Sequence, residues 1–394
     1  MVGEGVMPMG AREEYLARMR PRYVQADRAE QGRLLTEMEA VTGLHRKSLI
    51  RRLARPALGH GAGPRRPRRR QYGADVEHVV AVVWESLDYV CAERLEPGLL
   101  TTARHLATWG ELALTPELEG QLGQISRATV QRMLARIPRP PSRLPQRGPE
   151  AANRLRQAVP VERIPWETAE PGQFEVDLVH HGGASAAGEY AHTLQLIDVA
   201  TGWSERVALL GRSQRAMAAA FRHVFARLPF PIVHLHSDNG SEFFNDHLVR
   251  LFGEDVTGLT RSRSRPYHKN DSRFVEQKNA TLVRAYVGQL RLDTPAQVAA
   301  LNALYADLWT YYNLFQPVLR LVDKPIVEGK LRRRWDAAQT PYARLVAAGV
   351  LTAAQQEPLA QRYAQTNPRQ LRQQIYRQVT ALWQGTPALA EAAD

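Results

Sequence analysis

Apolar positions in the first part of the chain recur with a helical period. Residues 11–54 read as three helices. Leu35, Met38 and Val41 carry the period of the second, Thr42-Gly43-Leu44 interrupts it, and Leu49, Ile50 and Leu53 resume it in the third. This pattern predicts a helix-turn-helix unit over 11–56, with Arg46, Lys47, Arg51 and Arg52 on the outer face of its second helix, where a DNA major groove would meet them. A second helical block follows over 74–137 and ends in LEGQLGQISRATVQRMLARIP. There Ser126 is placed to cap a helix that turns Val130, Met133 and Leu134 inward and Arg127, Arg132 and Arg136 outward, a second helix-turn-helix-like unit. From 171 onward the period shortens to that of strands. Strands are predicted over 174–179, 190–199, 203–210, 232–236 and 256–260, and helices over 215–228, 245–252, 272–289 and from Pro295 to about Asn313. Three strands in a meander, then helix and strand in alternation, predict an α/β core at 171–315 built on a mixed five-stranded sheet with flanking helices. The remainder, 316–394, reads as a basic and mostly helical C-terminal region of unassigned role.

The segments between these blocks have a different texture. Residues 57–73, which end in GHGAGPRRPRRRQYG, and 138–170 are rich in Pro, Gly and Arg, hold too few apolar residues to fold alone, and read as linkers in a multidomain chain. The first linker concentrates Arg65, Arg66, Arg68, Arg69 and Arg70, an arrangement suited to phosphate or minor-groove contact. Over 41–70 there are ten Arg and Lys and no Asp or Glu, and the whole chain carries a formal charge of +12. Such a surplus favours a polyanionic partner through counterion release, and nucleic acid is the expected one. Cys91 is the single cysteine, which excludes an intramolecular disulfide and a cysteine-built zinc site and fits a cytoplasmic setting. No run of about 18 apolar residues occurs, so no membrane partner is expected.

Three carboxylates stand out within the core. Asp177 lies inside the first strand in FEVDLVHH, Asp238 follows the short strand in VHLHSDNGSEF, and Glu276 opens a helix in KNDSRFVEQKN. Sixty residues separate the first pair and 37 the second. If the two strands are neighbours, their acids converge at one end of the sheet and a crossing helix brings the third to them. Such a group holds hard cations, and two magnesium ions roughly 3.5–4 Å apart activate an attacking oxygen and stabilise a leaving one in phosphodiester chemistry. Among the other acids, Asp198 reads as a turn former, Asp246 and Asp271 as helix-start residues, and Glu242 lies close to Asp238. His180, His181, His234 and His236 flank the aspartates without metal-ligand spacing and read as packing or hydrogen-bonding groups. The loop before Glu276 is basic, and Arg265, Tyr267, Lys269 and the nearby Lys278 are candidates to hold phosphates or a splayed base.

Together FEVDLVHH, YAHTLQLIDVATGWSE, HSDNGSEFFN and TRSRSRPYHKNDSRFVEQKN resemble the integrase-type catalytic core of bacterial insertion-sequence DDE transposases, related to retroviral integrases. The resemblance is strongest over about 170–315. It implies an RNase H-like core with Asp177, Asp238 and Glu276 as catalytic metal ligands for two Mg2+ ions, with Mn2+ able to substitute. It also implies double-stranded DNA as partner, both the terminal inverted repeats of an element and its target, and a homodimer or higher oligomer that associates with the nucleoid when bound. The interval of 37 exceeds the 35 common among integrases, and no N-terminal His/Cys zinc module precedes the core. Two other readings stay open at this level: a nuclease of the same fold that does not join strands, and a DNA-binding regulator derived from a transposase that no longer cleaves.

Overall fold

In the segment that follows Pro171, apolar and polar residues alternate, and this alternation fixes which side of a sheet each residue faces. The structure, a computed structural model, describes residues 9–54, 71–140, 170–183, 187–237, 259–263, 273–323, 325–327 and 330–385. It divides into two compact units, Met1–Gln71 and Tyr72–Asp394.

The first unit has three described helices, α1 (Met9–Gln25), α2 (Arg28–Thr42) and α3 (Arg46–Ala54). Asp27 caps α2 by accepting the Glu30 N–H at 2.8 Å, and Gly43 ends it in the left-handed conformation with φ of 67°. The helices close on Leu16, Met19, Leu34, Leu35, Met38, Leu49 and Leu53. Val41 and Ile50, which share the apolar period, are instead 43% and 42% exposed. Leu34 and Thr42 are the buried residues of α2 beside Leu35 and Met38.

The second unit begins with α4 (Ala74–Ser86), α5 (Ala92–Leu95), α6 (Leu99–Thr108), α7 (Pro116–Gln124) and α8 (Arg127–Leu134). Ser126 caps α8 by accepting the Thr129 N–H, and Val130 and Met133 are buried. The sheet consists of β1 (Gln173–His180), β2 (Ala191–Asp198), β3 (Ser204–Leu210), β4 (His234–Ser237) and β5 (Thr260–Arg263). Its order is β3-β2-β1-β4-β5, with the meander antiparallel and β4 and β5 parallel to β1. This is the mixed five-stranded sheet that the pattern predicts. The last strand lies further along than 256–260. It is a polar edge strand, Thr-Arg-Ser-Arg, whose residues carry no apolar period and are set by pairing with β4.

Phe174, Val176 and Leu178 face one side of the sheet, in one core with Met217, Phe221 and Val224 of α9 (Gln214–Arg227). Glu175, Asp177 and Val179 face the other. That side carries α10 (Arg273–Lys278), a π-helical turn (Asn279–Arg284), the short α11 (Ala285–Val287) and α12 (Pro295–Thr310), which ends in a second π-helical turn (Tyr311–Phe315). The single helix predicted over 272–289 is thus interrupted at Asn279 and stopped by Gly288, whose φ of 70° is outside the helical range. Asp198 does more than form a turn. Its buried carboxylate accepts the N–H groups of Gly172, Gln173 and Thr201 and the Thr201 hydroxyl, which ties the start of β1 to the β2–β3 turn. Gly172 itself has φ of +108°, and a Cβ there would stand 2.9 Å from the Pro231 carbonyl.

Beyond the sheet lie two small antiparallel pairs, β6 (Leu321–Asp323) with β9 (Arg334–Trp335) and β7 (Ile326–Val327) with β8 (Lys330–Leu331). Three helices follow, α13 (Pro341–Ala348), α14 (Ala353–Ala364) and α15 (Pro368–Trp383). The block 74–137 and this C-terminal region, expected to be separate from the core, are packed onto it. Tyr311 donates to the Ser86 carbonyl, and Gln316 to that of Leu87. Arg369 bridges Glu85 and Glu111 at 2.8 and 2.9 Å. Asp88 and Tyr89 adopt left-handed backbone with φ of 59° and 57°, and Arg372 and the Tyr376 hydroxyl hold the Asp88 carboxylate in that turn.

Two buried imidazoles make this unit acid-sensitive. Burial, helped by the charge of Arg284, pushes His181 down to about 3, and burial beside His180 pushes His192 down to about 4. Both are neutral in the fold, so their contribution to stability is complete above the unfolded value of about 6.5 and is lost as pH falls toward the folded values. His181→Gln, which leaves an amide to meet the Thr193 hydroxyl, should flatten the fall of the melting temperature between about pH 6.5 and 4. Parallel curves for wild type and variant would remove His181 as the cause.

Candidate active site

Strand alternation sets Glu175 and Asp177 on the same face of β1, and cross-strand pairing extends that face as a polar row. Asp177 stands opposite Gln195 of β2, which stands opposite Arg206 of β3. Gln195 is fully buried, and neither atom of its amide has a hydrogen-bond partner among the described residues. Arg206 is 2% exposed, reaches the Leu282 carbonyl at 3.4 Å, and has its guanidinium 5.8 and 5.9 Å from the ring centres of Tyr305 and Tyr312. Burial pushes Arg206 below its ordinary value, and electrostatic interaction with Tyr305, Tyr312, Tyr286 and Glu205 opposes that shift.

The helix over this row is attached to β1 at two places. The Glu175 carboxylate, fully buried, accepts the N–H groups of Phe274 and Val275 at 2.8 and 2.9 Å. One step along the same strand face, Asp177 accepts the side-chain amide of Asn279. Asp177 also accepts the N–H of Leu178. Glu276 is exposed and lies three residues before Asn279, a spacing that sets both on one helix face. The helix that carries Glu276 is therefore bonded to the strand that carries Asp177.

Asp238 lies outside the described residues, as do Glu242, Asp246, Arg265, Tyr267, Lys269 and Asp271. The strand that leads to it is described. β4 runs parallel to β1 and ends at Ser237, which pairs with Val176, the residue before Asp177. Beside it, His234 Nε2 and His236 Nδ1 each lie 2.7 Å from the Ser262 hydroxyl, and burial lowers the His234 pKa. His181 bonds to Thr193, which bonds to Tyr305. These histidines are tied into local hydrogen bonds, as their spacing predicts.

Asp177 and Glu276 offer carboxylate oxygens, the hard donors that magnesium accepts. Among the described residues no group of three His, Cys, Asp or Glu is placed to hold a metal ion. The donor set fits the expected ion in kind, with Asp238 required to complete it.

The expected DNA contacts are dispersed. Arg46 is half-buried and bonds to the Gly32 carbonyl and the Thr36 hydroxyl on α2, whereas Lys47, Arg51 and Arg52 are exposed on α3. Arg127 and Arg132 are exposed on α8, and Arg132 bonds to Ala128 and Thr129 of its own helix. Lys278 is half-buried with its ammonium 5.0 Å from the Tyr312 ring centre. Arg65, Arg66, Arg68, Arg69 and Arg70 lie outside the described residues. Sequence reasoning passed over Glu175 and Asn279. Their signals are an acid two positions before Asp177 on a strand and an amide three after Glu276 on a helix.

No family model matches the chain. It is 36% identical over 342 residues to the "Uncharacterized protein y4rM" of Sinorhizobium fredii (strain NBRC 101917 / NGR234), which spans 85% of this chain and 95% of that protein. Among solved structures, the catalytic core domain of BIV integrase superposes with a TM-score of 0.31 at 17% identity, over 45% of this chain and 95% of that one. No described helix is long and apolar enough to cross a membrane.

Proposed function

The chain belongs to the same family as the Sinorhizobium fredii protein y4rM, and for it we propose the function of a DDE-type DNA transposase with an RNase H-like core. In this reading it hydrolyses a phosphodiester at each end of its own element and then directs the freed 3′ hydroxyl onto target DNA. The observation that carries the reading is the attachment of the Glu276 helix to the Asp177 strand, beside a parallel strand that runs into Asp238.

Two magnesium ions, or manganese in their place, would be held by Asp177, Asp238 and Glu276 and would supply activation of the attacking oxygen and stabilisation of the leaving one. The chain's own contribution is placement. Asn279 donates to Asp177 and fixes the rotation of that carboxylate. Gln195 and Arg206, both buried, line the same sheet face behind it. No covalent intermediate with the protein is required.

Recognition falls to other parts of the chain in this proposal. The helix pairs α2–α3 and α7–α8 serve as helix-turn-helix units, with Lys47, Arg51, Arg52, Arg127 and Arg132 available to phosphates and base edges. The arginines at 65–70 and the basic stretch with Arg265 and Lys269 add phosphate contacts. Two element ends and a target require at least two copies of the chain during synapsis.

The test begins with the DNA that flanks the gene. Inverted repeats found there, made as oligonucleotides, should be nicked by the purified chain in the presence of Mg2+ or Mn2+. Pre-cut ends should be joined to a supercoiled plasmid. Hydrolysis without joining would reduce the activity to that of a nuclease, and binding of ends without either reaction would leave a DNA-binding regulator.

A further inference from the structure

We propose that Glu175 is a positioning residue: its buried carboxylate sets the rotation and height of the helix that presents Glu276. The significance of that helix rests on the transposase reading, but the positioning itself does not.

Glu175 is an expensive residue at this place. It is fully buried, it stands opposite Ile197, and the apolar cluster of Ile197, Val275, Leu282, Tyr312 and Val318 lies on the same face. An apolar side chain would satisfy the packing without the cost of desolvating a polar group. What the carboxylate supplies is direction. One oxygen accepts from both Phe274 and Val275, whose N–H groups lie in the first turn of α10 and have no acceptor within the helix. Two successive backbone donors that meet one oxygen fix the turn and the side chain to each other.

The two attachments match in length. Residues 175 and 177 are two strand steps apart, roughly 6.6 Å. Residues 275 and 279 are four helical steps apart, about 6 Å. The helix therefore runs beside β1 in the same direction, held at both ends of one turn, with Glu276 between the two points. A slip by one residue would turn the helix by about 100° and carry Glu276 off the face that meets Asp177. The helix needs this hold. Its α-helical part is six residues long before the π-helical turn at Asn279, too short to be stable by its own hydrogen bonds.

Amide hydrogen exchange on the full chain tests the proposal without reference to activity. Glu175→Leu should speed exchange at Phe274, Val275 and the following turn by about tenfold or more, as loss of the acceptor for both N–H groups implies. Amides of β2 and β3 should keep their wild-type rates. Glu175→Gln retains an acceptor oxygen and should restore most of the protection. In the cleavage assay, Glu175→Leu should raise the Mn2+ concentration for half-maximal rate about tenfold, a shift of the size seen when a group supporting a metal ligand is lost. End affinity should be unchanged. Unaltered exchange at 274–279, or acceleration spread equally over β2 and β3, would overturn the proposal. The local change in exchange together with no cleavage by wild type would uphold the positioning role and defeat the transposase reading instead.

Discussion

Asp177→Asn, Asp238→Asn and Glu276→Gln will each lower the single-turnover rate of metal-dependent cleavage by about a thousandfold or more, some 4 kcal/mol of transition-state stabilisation. Each substitution keeps the shape of the side chain and removes one negative charge and one strong oxygen donor. The acid on the same strand face as Asp177, Glu175, is already engaged by the Phe274 and Val275 N–H groups. Asp177 stands opposite the buried amide of Gln195, and Glu276 is exposed on its helix with no second acid on α10. Binding of element ends should change by no more than about threefold, because the exposed cations of α3 and α8 are on other helices. Gel-shift titration beside a cleavage time course separates the two effects. Near-normal cleavage by one variant would remove that residue from the set, and after Asp238 the next acid to examine is Glu242.

Where the chain's periodicity reflects its immediate surroundings, the fold can be read from it. The meander β1–β2–β3 is legible because Phe174, Val176 and Leu178 alternate with polar residues, and α12 because Pro295 opens an apolar helical run behind the Thr294 cap. β5 is poorly legible because an edge strand can be polar throughout. In the site, Asp177 and Glu276 are visible as acids at strand and helix positions. Glu175 is not, since a buried acid whose partners are backbone N–H groups 99 and 100 residues away has no local signature. The same applies to the outer helices. Their partners lie hundreds of residues apart, as with Arg369 and Glu85 at a separation of 284, and linkers rich in Pro and Arg look like domain boundaries whether or not the flanking cores are shared.

The excised segment 171–315, which texture alone marks as a domain, should therefore fail to fold cooperatively, whereas 72–385 should unfold in one transition. The end of α12 and its π-helical turn bury Trp309, Tyr311, Leu314 and Phe315 to 7, 2, 0 and 4% exposure. For Tyr311 and Phe315 that cover comes from outside the segment, whereas Trp309 also meets Trp203, Glu205 and Arg227 within it. Tyr311 bonds to Ser86, the Phe315 ring stacks on Tyr363 at 4.9 Å and meets His105 at 5.5 Å, and Arg362 covers Trp309 at 5.3 Å. Leu301, Leu304 and Tyr305 share a core with Ile375, Val379 and Leu382 of α15, and Trp383 donates to the Tyr286 carbonyl. Each large apolar side chain returned to water costs about 1.5–3 kcal/mol. Four or five such exposures approach or exceed the roughly 5–15 kcal/mol that holds a typical domain folded. Urea titration followed by tryptophan fluorescence and circular dichroism would compare the two fragments. A cooperative transition in 171–315, with stability within about 2 kcal/mol of the longer fragment, would show that the helices before and after the sheet decorate its core rather than complete it.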